Sequence, residues 1–300
     1  PIIAGEPAQG GYLIPQKLSK KIVAKLVEYS PIRQYAFVNT VAGDVDVVKE
    51  NAGIDVKWPG ETGTRTETPT DPALLAKQNI AQYPQTALVL VSRKMLAQET
   101  VIGLEDYIAD LVGRYMGQDE GTKFISGDGD NCPTGLLDGS ILTRVENAAK
   151  GQITWADIKT LYYSVPGVTR SKGVWCMNDA ILKDLASIKT AVTTGEGAIE
   201  NIVWNSYAFG NIVGPEPNTI MGRPVISCPD MPSTYASGGE DLIIFGDLKG
   251  YWITDNPNVV VQRLDQLYAL SGLVGLLFEF LKGGYPVDPQ GLRVLKNKAT

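Results

Sequence analysis

The residues best placed to do chemistry lie in one short loop and one acidic stretch. The loop runs Gly127-Asp128-Gly129-Asp130-Asn131-Cys132-Pro133-Thr134-Gly135, and Asp128 with Asp130 begins it like an EF-hand calcium loop. Such a loop would continue with Asp or Asn at 132, Gly at 133 and a bidentate Glu at 139; this chain has Cys132, Pro133 and Gly139. The same stretch fails as a dinucleotide fingerprint. Cys132 stands where the third glycine belongs, and Pro133 follows instead of a helix. A tight structural turn is the better account. In the acidic stretch, Asp230, Glu240 and Asp241, with Glu216 not far away, could in principle supply a glycosidase carboxylate pair. Among 33 Asp and Glu residues, such proximity is expected by chance.

Other chemistries drop out on composition. The chain of 300 residues has no histidine, so there is no Ser-His-Asp or Cys-His centre and no cysteine–histidine zinc site. No Walker A, GxSxG or HExxH motif occurs. The 27 basic residues are outnumbered by the acidic ones, and the net charge of −6 argues against a dedicated DNA-reading module. Lys17, Lys20, Lys21 and Lys25 cluster and could touch phosphate, but they read better as the solvated face of a helix. Cys132, Cys176 and Cys228 are far apart and form no CxxC pair. We expect three reduced thiols, with Cys176 and Cys228 buried as small hydrophobes in apolar runs. The longest apolar run, residues 272–281, is half the ~20 needed to span a membrane and contains Glu279.

The elements that would carry these residues follow from pattern. Residues 1–16 are rich in Pro and Gly and read as an extended arm. Leu18, Ile22, Leu26 and Tyr29 then give one apolar helix face, ended by Ser30-Pro31. Residues 51–72 are polar and Thr-rich, yet strand-like runs flank them (45–48 and 79–92). This predicts a long hairpin whose tip leaves the body, with Trp58 lacking a local core. Leu104, Ile108, Leu111 and Tyr115, with Val112 and Phe124 extending the stripe, predict a long helix of about 23 residues ending at Ser126. Thr154 and Asn178 are predicted caps of two further helices, over 155–163 and 179–188. Strands are expected at 87–91, 173–177, 225–227, 241–247, 250–254, 259–261, 273–280 and 292–295. Helices and strands alternate only in the middle of the chain, so the fold class is α+β and not a doubly wound sheet.

The order of segments resembles a known family. Gly10-Gly11-Tyr12-Leu13-Ile14-Pro15 leads to Tyr29-Ser30-Pro31-Ile32-Arg33. A Thr-rich hairpin with Trp58 and Glu61 follows, then Val91-Ser92-Arg93-Lys94-Met95-Leu96. The long helix ends in Phe124-Ile125-Ser126-Gly127-Asp128-Gly129, followed by Pro133-Thr134-Gly135-Leu136-Leu137. Later come Trp175-Cys176-Met177-Asn178, Gly222-Arg223-Pro224-Val225 and Phe245-Gly246-Asp247-Leu248-Lys249-Gly250-Tyr251. Over nearly the whole chain this resembles the major capsid proteins of tailed bacteriophages with the Hong Kong 97-type fold.

The resemblance implies names for the parts: an N-terminal arm with a short helix (1–34), a peripheral-domain strand (35–41) and an E-loop hairpin (42–85). Next come a peripheral domain with its spine helix and glycine loop (86–149), an axial domain (150–255) and the returning peripheral strands (256–300). It implies a structural, non-enzymatic protein that assembles into pentamers and hexamers, tiled as an icosahedral shell around double-stranded DNA without sequence-specific binding. Its partners would be portal, scaffolding and decoration proteins, with no cofactor, metal or membrane. It would be assembled in the host cytoplasm and reside in the virion, and Pro1 would be a protease-matured end. The expected subunit-interface residues are Tyr12 and Leu13 on the arm and Trp58, Glu61 and Arg65 on the hairpin. Some members cross-link an E-loop Lys to a neighbour's Asn. Lys49 and Lys57 are candidate donors, but residues 259–280 hold no Asn, so no cross-link is expected. An encapsulin-type compartment of the same fold is the alternative reading, and a carboxylate-dependent hydrolase a remote one.

Overall fold

The computed structural model describes residues 30–50, 58, 75–97, 104–139, 141–186, 189–191, 200–202 and 219–299. After a 3-10 turn at Ile32–Gln34 come β1 (Phe37–Thr40), β2 (Val45–Glu50), β3 (Leu75–Ile80) and β4 (Tyr83–Ser92). Then follow α1 (Arg93–Ala97), α2 (Leu104–Ser126), β5 (Thr143–Glu146), α3 (Trp155–Ser164) and α4 (Gly167–Arg170). The middle holds β6 (Val174–Met177), α5 (Asp179–Ala186), β7 (Lys189–Ala191), β8 (Glu200–Ile202), β9 (Thr219–Ile220) and β10 (Arg223–Ser227). The chain closes with β11 (Asp241–Gly246), β12 (Tyr251–Asp255), β13 (Val260–Leu264), β14 (Leu273–Pro286) and β15 (Leu292–Lys296).

Two sheets organise these elements. In the first, β14 is the longest strand. One of its edges pairs antiparallel with β4, from Leu273↔Ser92 to Lys282↔Tyr83. Its other edge pairs with β13 and then β12, and β1 lies parallel beside β12. The second sheet has the order β5-β15-β11-β6-β10-β9. Its central strands are covered on both faces, which is why they read as unbroken apolar runs. Val174, Cys176, Ile244, Leu292 and Val294 enter one core cluster, while Trp175, Met177, Ile243, Phe245 and Leu295 enter another. Into the second cluster α3 and α5 insert Ile158, Leu161, Ile181 and Leu185. The Trp175 and Phe245 rings stack at 4.1 Å, and the Trp175 indole N–H donates to the Ile220 carbonyl at 3.0 Å, so its polar edge is satisfied.

Local signals set the helix ends. Thr154 caps α3 in a reciprocal capping box with Asp157. The Asn178 side-chain oxygen accepts from the Ala180 N–H at 3.0 Å at the start of α5. The long helix α2 spans the predicted 23 residues, and its buried row keeps Ile108, Val112 and Phe124 of the predicted stripe but not Tyr115. Ile108, Val112, Met116, Glu120 and Phe124 are buried at four-residue spacing, and Tyr115 is 57% exposed. Rows at spacing four and at spacing three are both natural ridges of a helix. The β4/β14 face chooses between them, which periodicity alone cannot do.

Three other expectations are corrected or sharpened. Residues 79–92 are not one strand; the chain breaks at 81–82, where Gln82 donates to the Val41 carbonyl and to Asp44. Cys176 and Cys228 form a disulfide with Cα atoms 6.1 Å apart, leaving Cys132 as the free thiol, so the expectation of three thiols fails for two. Both bonded cysteines are fully buried, as expected. The glycine loop is a structural turn: Gly135 N–H donates to the Gly127 carbonyl at 2.8 Å, and Asp128 bridges Thr134. A Cβ on Gly135 would lie 2.5 Å from the Ile125 carbonyl, and one on Gly127 2.1 Å from the Pro133 carbonyl, so neither position admits a side chain.

Candidate functional site: an assembly surface

Among the described residues several places present large apolar groups to solvent, three of them in the hairpin and the first sheet. The first is the hairpin. β2 and β3 pair antiparallel from Val45↔Ile80 to Glu50↔Leu75. Among its described residues Val47 and Ile80 are buried, while Val48 is exposed and Trp58 is 97% exposed. A bare indole leaves one of the largest apolar surfaces of any side chain in water. Lys77 pairs with Asp46 at 2.8 Å across the hairpin, an exposed contact that contributes little.

The second place is the outer face of the β4/β14 sheet. Alternate residues of β4 point inward, with Ala87, Val89 and Val91 against α2 and the first sheet's core. The others point out: Leu88 and Leu90 are 48% and 47% exposed. Leu277 stands directly opposite Leu88, and Val260, also half exposed, opposite Glu279, so these residues share one face. The signal in the sequence was Ala87-Leu88-Val89-Leu90-Val91 itself. An apolar run on both phases of a strand indicates that both faces are to be covered. The third place is the turn between β13 and β14, where Leu267 and Leu270 are exposed and Arg93 donates to the Asp265 carbonyl at 3.0 Å.

Of the five expected interface residues, Trp58 is described and is the most exposed aromatic among the described residues. Tyr12, Leu13, Glu61 and Arg65 lie outside the described residues, as does Lys57. Lys49 sits 5.9 Å over the Tyr285 ring.

Beneath this surface lies a charge cluster that pattern reasoning missed, because its bonded pairs are 87 to 222 residues apart. Arg33 Nε donates to Glu120 Oε1 at 2.6 Å, and its two terminal nitrogens grip the Asp255 carboxylate. Lys282 donates to the other Glu120 oxygen. Arg33, Glu120 and Lys282 are buried and Asp255 nearly so. Burial pushes the Glu120 carboxyl up, but the Lys282 and Arg33 charges outweigh it and hold it below the usual carboxylate range. Burial draws Lys282 down, with Glu120 opposing; because Arg33 cannot shed its charge, Glu120 stays anionic. The cluster joins three elements: the turn just after residue 30, α2 and the β12/β14 sheet. It therefore sets where the N-terminal segment enters the fold. Beside it is a cavity of about 110 Å³, lined by both apolar and polar side chains, Phe124, Pro84 and Pro133 with Gln85, Asp119 and Lys282 among them.

The arrangement offers no reaction centre among the described residues. Asp230 accepts from Thr122, Glu240 from Asn297, and Asp241 binds Arg144, so the three carboxylates serve separate structural contacts. Glu216 lies outside the described residues. No group of three His, Cys, Asp or Glu is placed to hold a metal ion among the described residues. Among them, no helix is long and apolar enough to cross a membrane.

Comparison with known proteins agrees with a surface built for assembly. No curated protein matches the sequence. Among solved structures, the capsid of a native GTA particle aligns over 100% of both chains at 24% identity with a TM-score of 0.76. Microbacterium phage Oxtober96 aligns over 89% of this chain and 90% of its own at 14% identity, TM-score 0.63. The SrpI encapsulin from Synechococcus elongatus aligns over 89% and 86% at 12% identity, TM-score 0.55. The Phage capsid family matches residues 10–297, and the chain belongs to that family: it is a major capsid protein of the Hong Kong 97-type α+β fold, the building unit of an icosahedral shell.

Proposed function

We propose that this subunit closes into pentamers and hexamers by clasping its neighbours with its arm and hairpin, and that the shell encloses double-stranded DNA. The supporting observation is the nearly bare Trp58, since most other aromatics among the described residues are at least partly packed. In this reading Trp58, Glu61 and Arg65 (on an E-loop spanning 42–85) and Tyr12 with Leu13 (on an arm spanning 1–34) meet neighbouring chains. Residues 35–41, 86–149 and 256–300 form the peripheral domain and 150–255 the axial domain, whose identical copies meet around the symmetry axes. Head-to-tail contacts between identical chains close into rings. The protein acts by geometry and catalyses nothing. The net charge of −6 suits a container whose contents must slide during packaging, since few cations are left to grip phosphate. Portal, scaffolding and decoration proteins are its expected partners, and the host cytoplasm its place of assembly.

Electron microscopy of the purified protein tests this: closed particles for the parent chain, and open sheets or free subunits for Trp58→Ala and Arg65→Ala. A parent that stays monomeric, or variants that assemble normally, would refute the clasp. Nucleic acid inside particles from infected cells separates this reading from an encapsulin compartment.

A further inference from the structure

The disulfide lies where no exposed chemistry would find it. Cys176 is in the middle of β6 and Cys228 directly follows β10, 52 residues later, and both are fully buried. Their meeting does not depend on the bond. β10 pairs parallel with β6, with Ile226 opposite Cys176, and the Cys228 N–H donates to the Met177 carbonyl at 2.8 Å. These backbone bonds alone hold the two Cα atoms at 6.1 Å, inside the range of about 4.4–6.8 Å that a disulfide spans. Both side chains face the same core cluster, among Ile226, Met231 and Ile244, where a reduced cysteine packs as a small hydrophobe. The reduced and the bonded subunit therefore share one fold.

We propose that Cys176 and Cys228 form a redox-set staple: the subunit folds with two thiols, and their later oxidation locks the chain between them onto the second sheet. The two thiols lose two electrons and two protons to a small-molecule disulfide such as oxidised glutathione. A mixed disulfide forms first, the second thiolate displaces it, and two glutathione thiols are released. The reagent reaches buried sulfur only when β10, next to the sheet-edge strand β9, parts from β6. Once made, the bond is shielded from reductants by the same packing. Cys132 plays no part. It lies in the glycine loop with its Sγ 3.1 Å from Asp128, and it stays a thiol. The staple goes beyond the assembly reading and does not rest on it, because thiols are counted on the subunit in any state of association.

The experiment uses the full chain isolated from a reducing cytoplasm, with free thiols alkylated under denaturing conditions before and after incubation with oxidised glutathione. We expect three labelled cysteines before and one after, the one being Cys132, with the protein lighter by two hydrogens and monomeric on a non-reducing denaturing gel. The oxidised form should melt higher than the reduced form by about 5 °C, and that gap should vanish in a Cys176→Ala/Cys228→Ala double variant. Three labelled thiols after prolonged incubation, a bond mapped to Cys132, or equal melting of the two wild-type forms would each overturn the proposal.

Discussion

Replacing Glu120 with Gln keeps the volume of the side chain and removes its charge. Glu120 is 3% exposed and accepts charge-assisted hydrogen bonds from Arg33 and Lys282. Each such bond contributes about 1.5–3 kcal/mol. Gln can still accept one of them but leaves two buried cations facing each other, with Asp255 bound to Arg33 alone. Breaking a buried pair by removing one partner costs about 3–5 kcal/mol. A chain of this size unfolds with an entropy near 0.6 kcal/mol/K, so the melting temperature should fall by about 5–8 °C at neutral pH. The assay is thermal unfolding of the free subunit at several pH values. The sign follows from the depressed folded-state pKa of Glu120. Its stabilisation is complete above the unfolded value of about 4.3 and is lost as pH falls through the folded value. The parent and Glu120→Gln curves should therefore converge on acidification. A neutral-pH difference under 1 °C, or a gap that persists unchanged to pH 3, would refute a charge cluster that anchors the N-terminal segment.

Further predictions separate folding from assembly. Leu88→Thr/Leu90→Thr keeps strand-compatible residues on the outer face of β4, so subunit stability should change by less than about 1 kcal/mol in denaturant titration, while particle yield falls several-fold. Thr154→Ala removes the α3 cap and should cost about 1 kcal/mol of subunit stability with assembly unaffected at low temperature. Denaturing electrophoresis of intact particles should show single-subunit bands, consistent with the lack of an Asn in residues 259–280.

What could be read in advance was local. The Thr154 and Asn178 caps, the C-terminal end of the long helix and the turn around Gly127 and Gly135 all depend on neighbours within a few residues. They stand where the pattern put them. What escaped was long-range. The Cys176–Cys228 bond requires knowing that β6 lies beside β10. The Arg33–Glu120–Lys282–Asp255 cluster brings together four residues no periodicity connects, and it puts a charged residue in the buried row of α2. The candidate surface divided the same way. Trp58 stood out as a large aromatic at the edge of a polar, Thr-rich stretch, whereas Leu88 and Leu90 looked like core until their strand was given two faces.

The long strand β14 has a mechanical meaning. The hairpin formed by β2 and β3 feeds into β4 through only two residues, and β4 then matches β14 over ten consecutive register pairs. Inter-strand hydrogen bonds lie perpendicular to antiparallel strands. A pull that a neighbour exerts on the hairpin enters β4 at its first residue and runs along its length. It loads all ten pairs in shear at once and cannot unzip them singly. The opposite edge of β14 carries the load on into β13 and β12, and Lys282 ties the strand to α2 through Glu120. If the hairpin clasps a neighbour as proposed, its pull is taken up by the longest strand pairing among the described residues, and a shell swelling under internal pressure would stretch its joints before its bricks.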